Sequence, residues 1–392
     1  MKRVLSVFLS VALCFSAFYL VSNLFHSVLT ISNEKKILNE DLPTEQQIRD
    51  FELKTKEKNY FYYNNLSSEA KEIYITLYYC FFDFDDKIVL DTVNKNELND
   101  VFIAVLYDNP DVFWIDLKYE YTIYESYTEL FPIYRLSSSE VDSMNREIGS
   151  KIDDVMRKVN SLKSDYEKEL FIHDYVAEIT QYDIETMDNL GDTVYSCLVS
   201  GRSICEGYAR TTQILLDKAG ISNYLVVGNG ETDSKIEPHM WNVVEIDGKN
   251  YHLDVTWDDL SLDDKVAHFY FNVTDSFIAR DHMDIEPQNN QCNSIDANYF
   301  FVQDAFISSF NGYSQHTART ANVLEDGENM VEFFFADKDD YDTALNYLKN
   351  DNGFFNYIAS AIKMSGRKLN STSVDYYVIE EFNYLCVVFK EG

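Results

Sequence analysis

A predicted β-hairpin near the middle of the chain constrains the fold more than any other feature of the sequence. Two segments with the pattern of strands, His239–Ile246 and Lys249–Asp254, flank the dipeptide Asp247-Gly248. This dipeptide is typical of a two-residue hairpin turn. The sequence therefore predicts an antiparallel sheet in this part of the chain.

The predicted register brings His239 and Asp254 to one face of the hairpin. With a two-residue turn His239 lies opposite Thr256, and Asp254 is then its diagonal neighbour on the same face. A four-residue loop shifts the pairing by two residues and preserves this shared face. His252 also lies on this face, so facing alone does not select a partner for His239. The order Cys-His-Asp along the chain favours Asp254, which would fix the tautomer of His239 and stabilise its charged form.

Cys205 is predicted to lie at the start of a helix. It precedes the helical pattern Thr211–Ala219, which Gly220 ends at a C′ position. The free backbone N–H groups and the positive end of the helix dipole stabilise a thiolate at such a position. The same N–H groups can bind an oxyanion that develops on an attacked carbonyl. We therefore expect His239 to exchange a proton with the Cys205 thiol.

Several other polar and aromatic residues are given structural rather than catalytic interpretations. His173 is predicted to be a packed or helix-docking residue. Trp241 and Trp257 are predicted to fall on opposite faces of the hairpin, where core packing is favoured over a role in the wall of a substrate cleft. Asp258-Asp259 and Asp263-Asp264 match no EF-hand loop, so we predict a solvated acidic loop rather than a calcium site.

The cysteines give no sign of a metal centre. The chain has six, with no CxxC motif and no Cys/His cluster of metal-ligand spacing: Cys14, Cys80, Cys197, Cys205, Cys292 and Cys386. We therefore expect neither a structural zinc ion nor another cofactor. An oxidising compartment would permit disulfides, but their pairing cannot be read from the sequence.

An apolar segment near the N-terminus predicts export. Lys2 and Arg3 precede the uncharged run Val4–Phe25, whose 22 residues are enough to span a membrane. Because no Ala-x-Ala cleavage pattern follows, an uncleaved anchor with an extracytoplasmic domain is favoured over a removed signal peptide and a secreted product. We expect contact with the membrane through this segment only.

Composition and charge exclude other classes of protein. Hydrophobic residues make up 46% and aromatic residues 15% of the 392 residues, which is incompatible with a disordered chain. The net charge of −33 repels phosphate backbones, so we expect no nucleic-acid partner. The same charge is interpreted as a contribution to solubility.

The order of the predicted elements indicates an α+β protein with four segments. Residues 1–36 are the anchor or signal, 37–160 are predicted to be mainly helical, 161–290 to form the central catalytic domain, and 291–392 to form an α+β region. The helical part includes a helix that begins at Pro43-Thr44 and runs to about Tyr63. A terminal hairpin is predicted from Val374–Val378 and Tyr384–Phe389.

Three segments resemble the motifs of the bacterial transglutaminase-like superfamily: Ser203–Arg210, His239–Asn242 and Asp247–Asp259. The resemblance covers about residues 165–284. It implies a papain-like core in which a helix carrying the cysteine packs on an antiparallel sheet carrying the histidine and the aspartate. It also implies that Cys205 is the nucleophile, His239 the base and Asp254 the third member of the site.

The resemblance and the residues together predict acyl transfer from a carboxamide or peptide bond of a protein or peptide substrate. A Cys205 thioester would pass its acyl group to water or to an amine, and hydrolysis is preferred because no tunnel for an amine can be identified. Protein cross-linking and a non-catalytic surface or scaffolding protein that retains the fold are the alternatives.

Overall fold

The computed structural model describes residues 42–391, apart from residues 92, 233–234, 260–265, 289 and 351. The predicted apolar anchor, Cys14 and the pair Asp263-Asp264 lie outside these described residues. Among the helices that are described, none is both long enough and apolar enough to cross a membrane. The described residues form two compact units, one from within 1–260 and 272–294 and the other from within 261–271 and 295–392.

The N-terminal part of the first unit combines helices with a small sheet. The helices are α1 (Glu45–Lys54), α2 (Phe61–Asn64), α3 (Ser68–Asp83), α4 (Lys95–Asp108) and α5 (Ser138–Val159). The strands β1 (Ile88–Asp91), β2 (Ile115–Ile123) and β3 (Tyr127–Tyr134) form a sheet of order β1-β3-β2. Helix α1 begins directly after Thr44, close to the predicted start, and the Thr44 side chain caps it. It ends at Lys54, so the prediction of a helical stretch up to Tyr63 is wrong.

The rest of the first unit is built around one helix and one antiparallel sheet. Its elements are α6 (Asp165–Ile179), β4 (Gln181–Tyr182), β5 (Arg202–Ser203), α7 (Cys205–Ala219), β6 (Asn223–Thr232), β7 (Lys235–Ile246), β8 (Lys249–Leu253), α8 (Val255–Asp258), α9 (Asp275–Ile278) and β9 (His282–Glu286). The sheet has the order β8-β7-β6-β9. Helix α7 packs on β6 and β7. The predicted α+β class, with the cysteine helix on an antiparallel sheet, is confirmed.

The contact between α7 and the sheet combines apolar packing with hydrogen bonds. Ala209 of α7 packs with Leu225 of β6 and Met240 of β7 in a buried cluster. The Asn242 side chain donates a hydrogen bond to the Ala209 carbonyl at 3.1 Å. On the other side of the helix, Arg210 donates to a carbonyl of α4. These contacts fix the position of the helix that begins at Cys205.

The central hairpin has the predicted turn but a shorter returning strand. Asp247 and Gly248 have φ values of 51° and 73°, as a type I′ turn requires. Strand β8 ends at Leu253, so the expected pairing of His239 with Thr256 does not form. The reason is that the Asp254 side chain caps α8 and turns the chain away from the sheet. His239 instead pairs with Gly228 of β6.

The second unit is a separate α+β layer structure. It contains α10 (Tyr299–Val302), β10 (Phe306–Ile307), α11 (Thr317–Glu325), β11 (Met330–Phe335), α12 (Lys338–Asn350), α13 (Asn352–Ser365), β12 (Leu369–Ile379) and β13 (Tyr384–Glu391). The sheet has the order β10-β11-β13-β12, and the predicted terminal hairpin is confirmed as β12 and β13. Its core includes Phe333, Tyr357 and Leu385.

Candidate active site

The structure brings Cys205, His239 and Asp254 together inside the first unit. The Nε2 atom of His239 lies 2.6 Å from Oδ2 of Asp254. Cys205 lies near enough to the same imidazole to raise its pKa. Because Nε2 is taken by the carboxylate, Nδ1 is the nitrogen left for the sulfur. Cys205 and Asp254 therefore both interact with His239. The three residues come from three places in the chain: the start of α7, the middle of β7 and the cap between β8 and α8.

Both oxygens of the Asp254 carboxylate take part in hydrogen bonds. Its Oδ1 accepts hydrogen bonds from the backbone N–H groups of Thr256 and Trp257 at 3.0 and 3.3 Å. Its Oδ2 faces two imidazoles, those of His239 and His282. Burial alone would raise the pKa of Asp254, but the charges and hydrogen bonds of the two histidines hold it well below its ordinary range. Asp254 is therefore ionised at neutral pH.

The surroundings of His239 favour its protonated form. Burial alone would lower its pKa, but the Asp254 charge, the Asp254 hydrogen bond and Cys205 raise the pKa of His239 to about 9. A basic imidazole beside a cysteine is the arrangement that activates a thiol in cysteine enzymes. The two residues are buried, with Cys205 only 1% exposed. In such a water-poor site the attraction between the two charges is stronger than in water.

The start of α7 is shaped by close packing around the cysteine. The N-cap residue Ile204 offers no side-chain hydrogen bond to the first turn. Gly207, two residues after Cys205, leaves no room for a side chain, since a Cβ there would lie 1.9 Å from the Ser203 hydroxyl and 2.8 Å from the Gly191 carbonyl. This hydroxyl donates a hydrogen bond to the Gly191 carbonyl at 2.6 Å. The loop before α7 is thus held against the helix that carries Cys205.

Two tryptophans pack against the His239 ring. The ring centroids of Trp241 and Trp257 lie 5.7 and 5.5 Å from that of His239. Trp241 is buried, but the prediction that the two tryptophans lie on opposite faces of the hairpin is wrong, because Trp257 belongs to α8. The indole N–H of Trp241 donates to Nδ1 of His252, whose Nε2 faces Asp275. His252 therefore shares the predicted face but hydrogen-bonds to neither triad partner.

His173 is a packed residue, as predicted. It is completely buried, with Nδ1 2.9 Å from Asp174 Oδ1 and Nε2 3.2 Å from Asp258 Oδ2. It thus connects α6 to α8, directly behind the Asp254 cap. The same contact overturns the prediction of a solvated acidic loop for Asp258-Asp259. Asp258 is buried against His173, and Asp259 accepts a hydrogen bond from the Tyr208 hydroxyl at 2.6 Å.

His282 is a neighbour of the triad that the sequence reasoning missed. Its Nε2 lies 3.2 Å from Asp254 Oδ2, and its Nδ1 lies 2.6 Å from Asp281 Oδ1. The only sign of this contact in the sequence is the dipeptide Asp281-His282, near the end of the segment that resembles the superfamily. No local pattern connects it to Asp254, 28 residues earlier. The sequence position alone could not have assigned this contact.

Two clusters of the first unit have donor atoms close enough for a metal ion: His239, Asp254 and His282, and His252, Asp275 and Cys292. Hydrogen bonds account for both arrangements with protons alone. His282 has a carboxylate on each nitrogen, which fixes a proton on each. Trp241 donates to Nδ1 of His252, which leaves the proton on Nε2, the nitrogen that faces Asp275. In this arrangement neither the His282 ring nor the His252 ring presents a free lone pair to the centre of its cluster.

Residues 153–255 match the family model described as the transglutaminase-like superfamily, and the matched segment contains Cys205, His239 and Asp254. The resemblance of the sequence motifs is thereby confirmed, and the central part of the chain is a transglutaminase-like domain. No curated protein matches the chain.

Solved structures that match part of the chain include a TGase, at 16% identity over 43% of this chain and 50% of its own, with a TM-score of 0.26. A candidate cysteine protease from Cytophaga hutchinsonii matches at 14% identity over 36% of this chain and 55% of its own, with a TM-score of 0.26. A candidate protease from Parabacteroides distasonis matches at 14% identity over 35% of each chain, with a TM-score of 0.22. The chain spans half of the length of the TGase structure.

Proposed function

We propose that the protein is a cysteine enzyme that cleaves carboxamide or peptide bonds through a Cys205 thioester. One observation carries the proposal: the His239 imidazole is hydrogen-bonded to the Asp254 carboxylate and also interacts with Cys205 at the start of α7. This arrangement activates a thiol and moves a proton at the reacting centre. The match of residues 153–255 to the transglutaminase-like superfamily supports the same chemistry.

In the proposed first half-reaction the Cys205 thiolate attacks the amide carbon. The backbone N–H groups at the start of α7, which Ile204 does not cap with a side chain, stabilise the developing oxyanion. The His239 imidazolium gives its Nδ1 proton to the departing ammonia or amine. The products are a thioester on Cys205, a free amine or ammonia and a neutral His239.

In the second half-reaction neutral His239 takes a proton from the acyl acceptor, which attacks the thioester and releases Cys205 as a thiolate. We propose that the acceptor is water. Cys205 is only 1% exposed, so little space is left for an acceptor to reach its thioester. This favours water, the smallest nucleophile, over the side chain of a protein lysine. Transfer to an amine, and hence cross-linking, uses the same thioester and is the second outcome that an experiment must distinguish.

The experiment incubates the purified protein with a glutamine-containing protein and a labelled primary amine. Release of ammonia or new N-termini without incorporation of the label supports hydrolysis. Covalent incorporation of the label that disappears in His239→Ala would show that the enzyme transfers the acyl group to an amine rather than to water. Absence of both reactions over a range of substrate proteins, with no difference between the parent and Cys205→Ala, favours a non-catalytic binding or scaffolding role.

We also propose that the protein is exported and anchored by its N-terminal segment. Support comes from the 22-residue uncharged run Val4–Phe25 and from the lack of a cleavage pattern after it. Protease added to intact cells should then degrade the domain, which stays in the membrane fraction. Protection of the domain contradicts the orientation, and a mature N-terminus after Phe25 contradicts the anchor.

A further inference from the structure

The strongest unexplained feature of the first unit is the second histidine on Asp254. His282 is buried at the start of β9 and is placed between two carboxylates, those of Asp254 and Asp281. An ionised carboxylate accepts hydrogen bonds and cannot donate them. Both ring nitrogens of His282 must therefore donate, which makes this ring an imidazolium.

The surroundings of the ring fit a cation. The ring centroids of Trp257 and Trp241 lie 4.3 and 4.8 Å from that of His282, within the range of cation–π attraction. Burial opposes the charge, but Asp254 and Asp281 outweigh it and raise the pKa of His282. A buried charge of this kind persists only when it is paired, and here it is paired on both sides.

Four charged or titratable groups face His282 from the neighbouring elements. Asp281 precedes β9, Asp254 follows β8, and the His239 ring of β7 lies 5.3 Å away between centroids. His252 of β8 is the fourth, and the charge on His282 disfavours protonation of His252 and lowers its pKa. Burial lowers the pKa of His252, and Trp241 donates to its Nδ1, so His252 is neutral. The cation on His282 therefore acts mainly on Asp254 and His239.

We propose that His282 is a positioning residue of the candidate active site: a permanently protonated histidine that shares Asp254 Oδ2 with His239 and thereby weakens the hold of this carboxylate on the His239 proton. The inference rests on the proposed function, because it assumes that His239 serves Cys205. Without the His282 charge, Asp254 would bind the proton of His239 more tightly. A general acid that holds its proton too tightly transfers it slowly to a leaving group.

The charge on His282 can be measured directly, without substrate. In the folded full chain labelled with ¹⁵N-histidine, the two ¹⁵N shifts of His282 should both be those of protonated nitrogens at pH 7. In Asp281→Asn, which removes one of the two carboxylates, His282 should lose its proton at a lower pH than in the parent protein. A neutral His282 with one bare nitrogen in the parent at pH 7 overturns the proposal, and this result does not depend on whether any variant folds.

The effect on His239 is tested with the pH profile of Cys205 alkylation by iodoacetamide. In His282→Gln, which keeps an N–H donor but removes the charge, the basic inflection caused by loss of the His239 proton should move up by about one pH unit. His252→Gln is the matched control, because His252 is a buried and neutral histidine on the same sheet, and its profile should equal that of the parent.

The outcomes separate the inference from the proposed function. A parent protein whose Cys205 is no more reactive than its other cysteines refutes the proposed function. A reactive parent whose profile is unchanged in His282→Gln, or shifted equally in His252→Gln, refutes the positioning role of His282 and leaves the proposed function intact.

Discussion

Replacement of Asp254 by asparagine should separate the chemical role of this side chain from its structural role. The asparagine side chain in Asp254→Asn would still accept the two backbone hydrogen bonds of α8 through Oδ1, because asparagine caps helices as well as aspartate does. Its amide N–H₂ group would face the N–H groups of His239 and His282 where the carboxylate now accepts both. His239 would then turn Nε2 into an acceptor and lose the stabilisation of its charged form.

The magnitude follows from the geometry of the pair. The atoms His239 Nε2 and Asp254 Oδ2 are 2.6 Å apart. With roughly 4 Å between the centres of charge and an effective dielectric constant of about 20, the attraction is about 4 kcal/mol. Since about 1.4 kcal/mol corresponds to a tenfold change in rate, kcat/KM should fall about 10³-fold in Asp254→Asn.

The assay compares kcat/KM for amide hydrolysis with thermal unfolding of the same preparations. Asp275→Asn is the matched control, because Asp275 also accepts from a buried histidine of the sheet, His252, at 3.0 Å but lies outside the triad. Activity should be nearly unchanged in the control. Asp254→Asn should be folded at the assay temperature, although it loses the stabilisation that the carboxylate gives through His239 and His282. A loss below tenfold in Asp254→Asn, or an equal loss in Asp275→Asn, would refute the electrostatic role of Asp254.

Three further predictions concern stability. Asp254 raises the folded-state pKa of His239 from 6.5 to about 9 against the effect of burial. This pair therefore stabilises the fold fully below pH 6.5, and its contribution is lost as the pH rises through 9. Urea unfolding should show that the free energy of unfolding falls less over this pH range in His239→Gln than in the parent. Burial raises the pKa of Glu169 to about 8, so Glu169→Gln should unfold at higher urea than the parent at pH 8, with no gain at pH 4. Gly207→Ala should lower the free energy of unfolding by about 2 kcal/mol or more, because its Cβ would lie 1.9 Å from a neighbouring oxygen. Gly149→Ala is the control and should be neutral or stabilising, because a Cβ there would have no atom within 4 Å. Equal melting temperatures for the two variants would contradict the packing argument.

The sequence predicts those parts of the site whose determinants are local. The turn Asp247-Gly248 sets the hairpin register, and the observed pairing of Ile246 with Lys249 agrees with it. Gly220 ends α7 in the left-handed conformation, as expected for a C-terminal cap. Together these signals place His239 near Asp254 and put Cys205 at a helix start. They require no knowledge of distant contacts.

The parts that the sequence does not predict depend on partners far along the chain. Strand β6 is not recognised because it contains Gly228 and Gly230, which weaken a strand pattern. A Cβ at Gly228 would lie 2.7 Å from the Met283 carbonyl oxygen and 3.0 Å from the Trp241 ring, and a Cβ at Gly230 would lie 2.7 Å from the Trp257 ring. The rings that pack on His239 thus occupy the space of missing side chains on the neighbouring strand.

The acidic residues after Asp254 are mispredicted for a similar reason. Sequence alone indicates a solvated loop, because consecutive aspartates are usually exposed. The partner that buries Asp258 is His173, which lies 85 residues earlier in the chain on α6. The pair forms only when α6 packs on α8, so it is a property of the tertiary structure and leaves no local pattern.

The central claim, that His239 activates Cys205, is tested most directly by the relative alkylation rates of the cysteines. Cys197, Cys292 and Cys386 are as deeply buried as Cys205, and burial raises the pKa of the first two. Peptide mapping by mass spectrometry after brief treatment with iodoacetamide at pH 7 should find Cys205 modified first, and His239→Ala should reduce its rate to that of the other three. Slow labelling of Cys205 at the same rate as these three, unaffected by His239→Ala, would contradict the account.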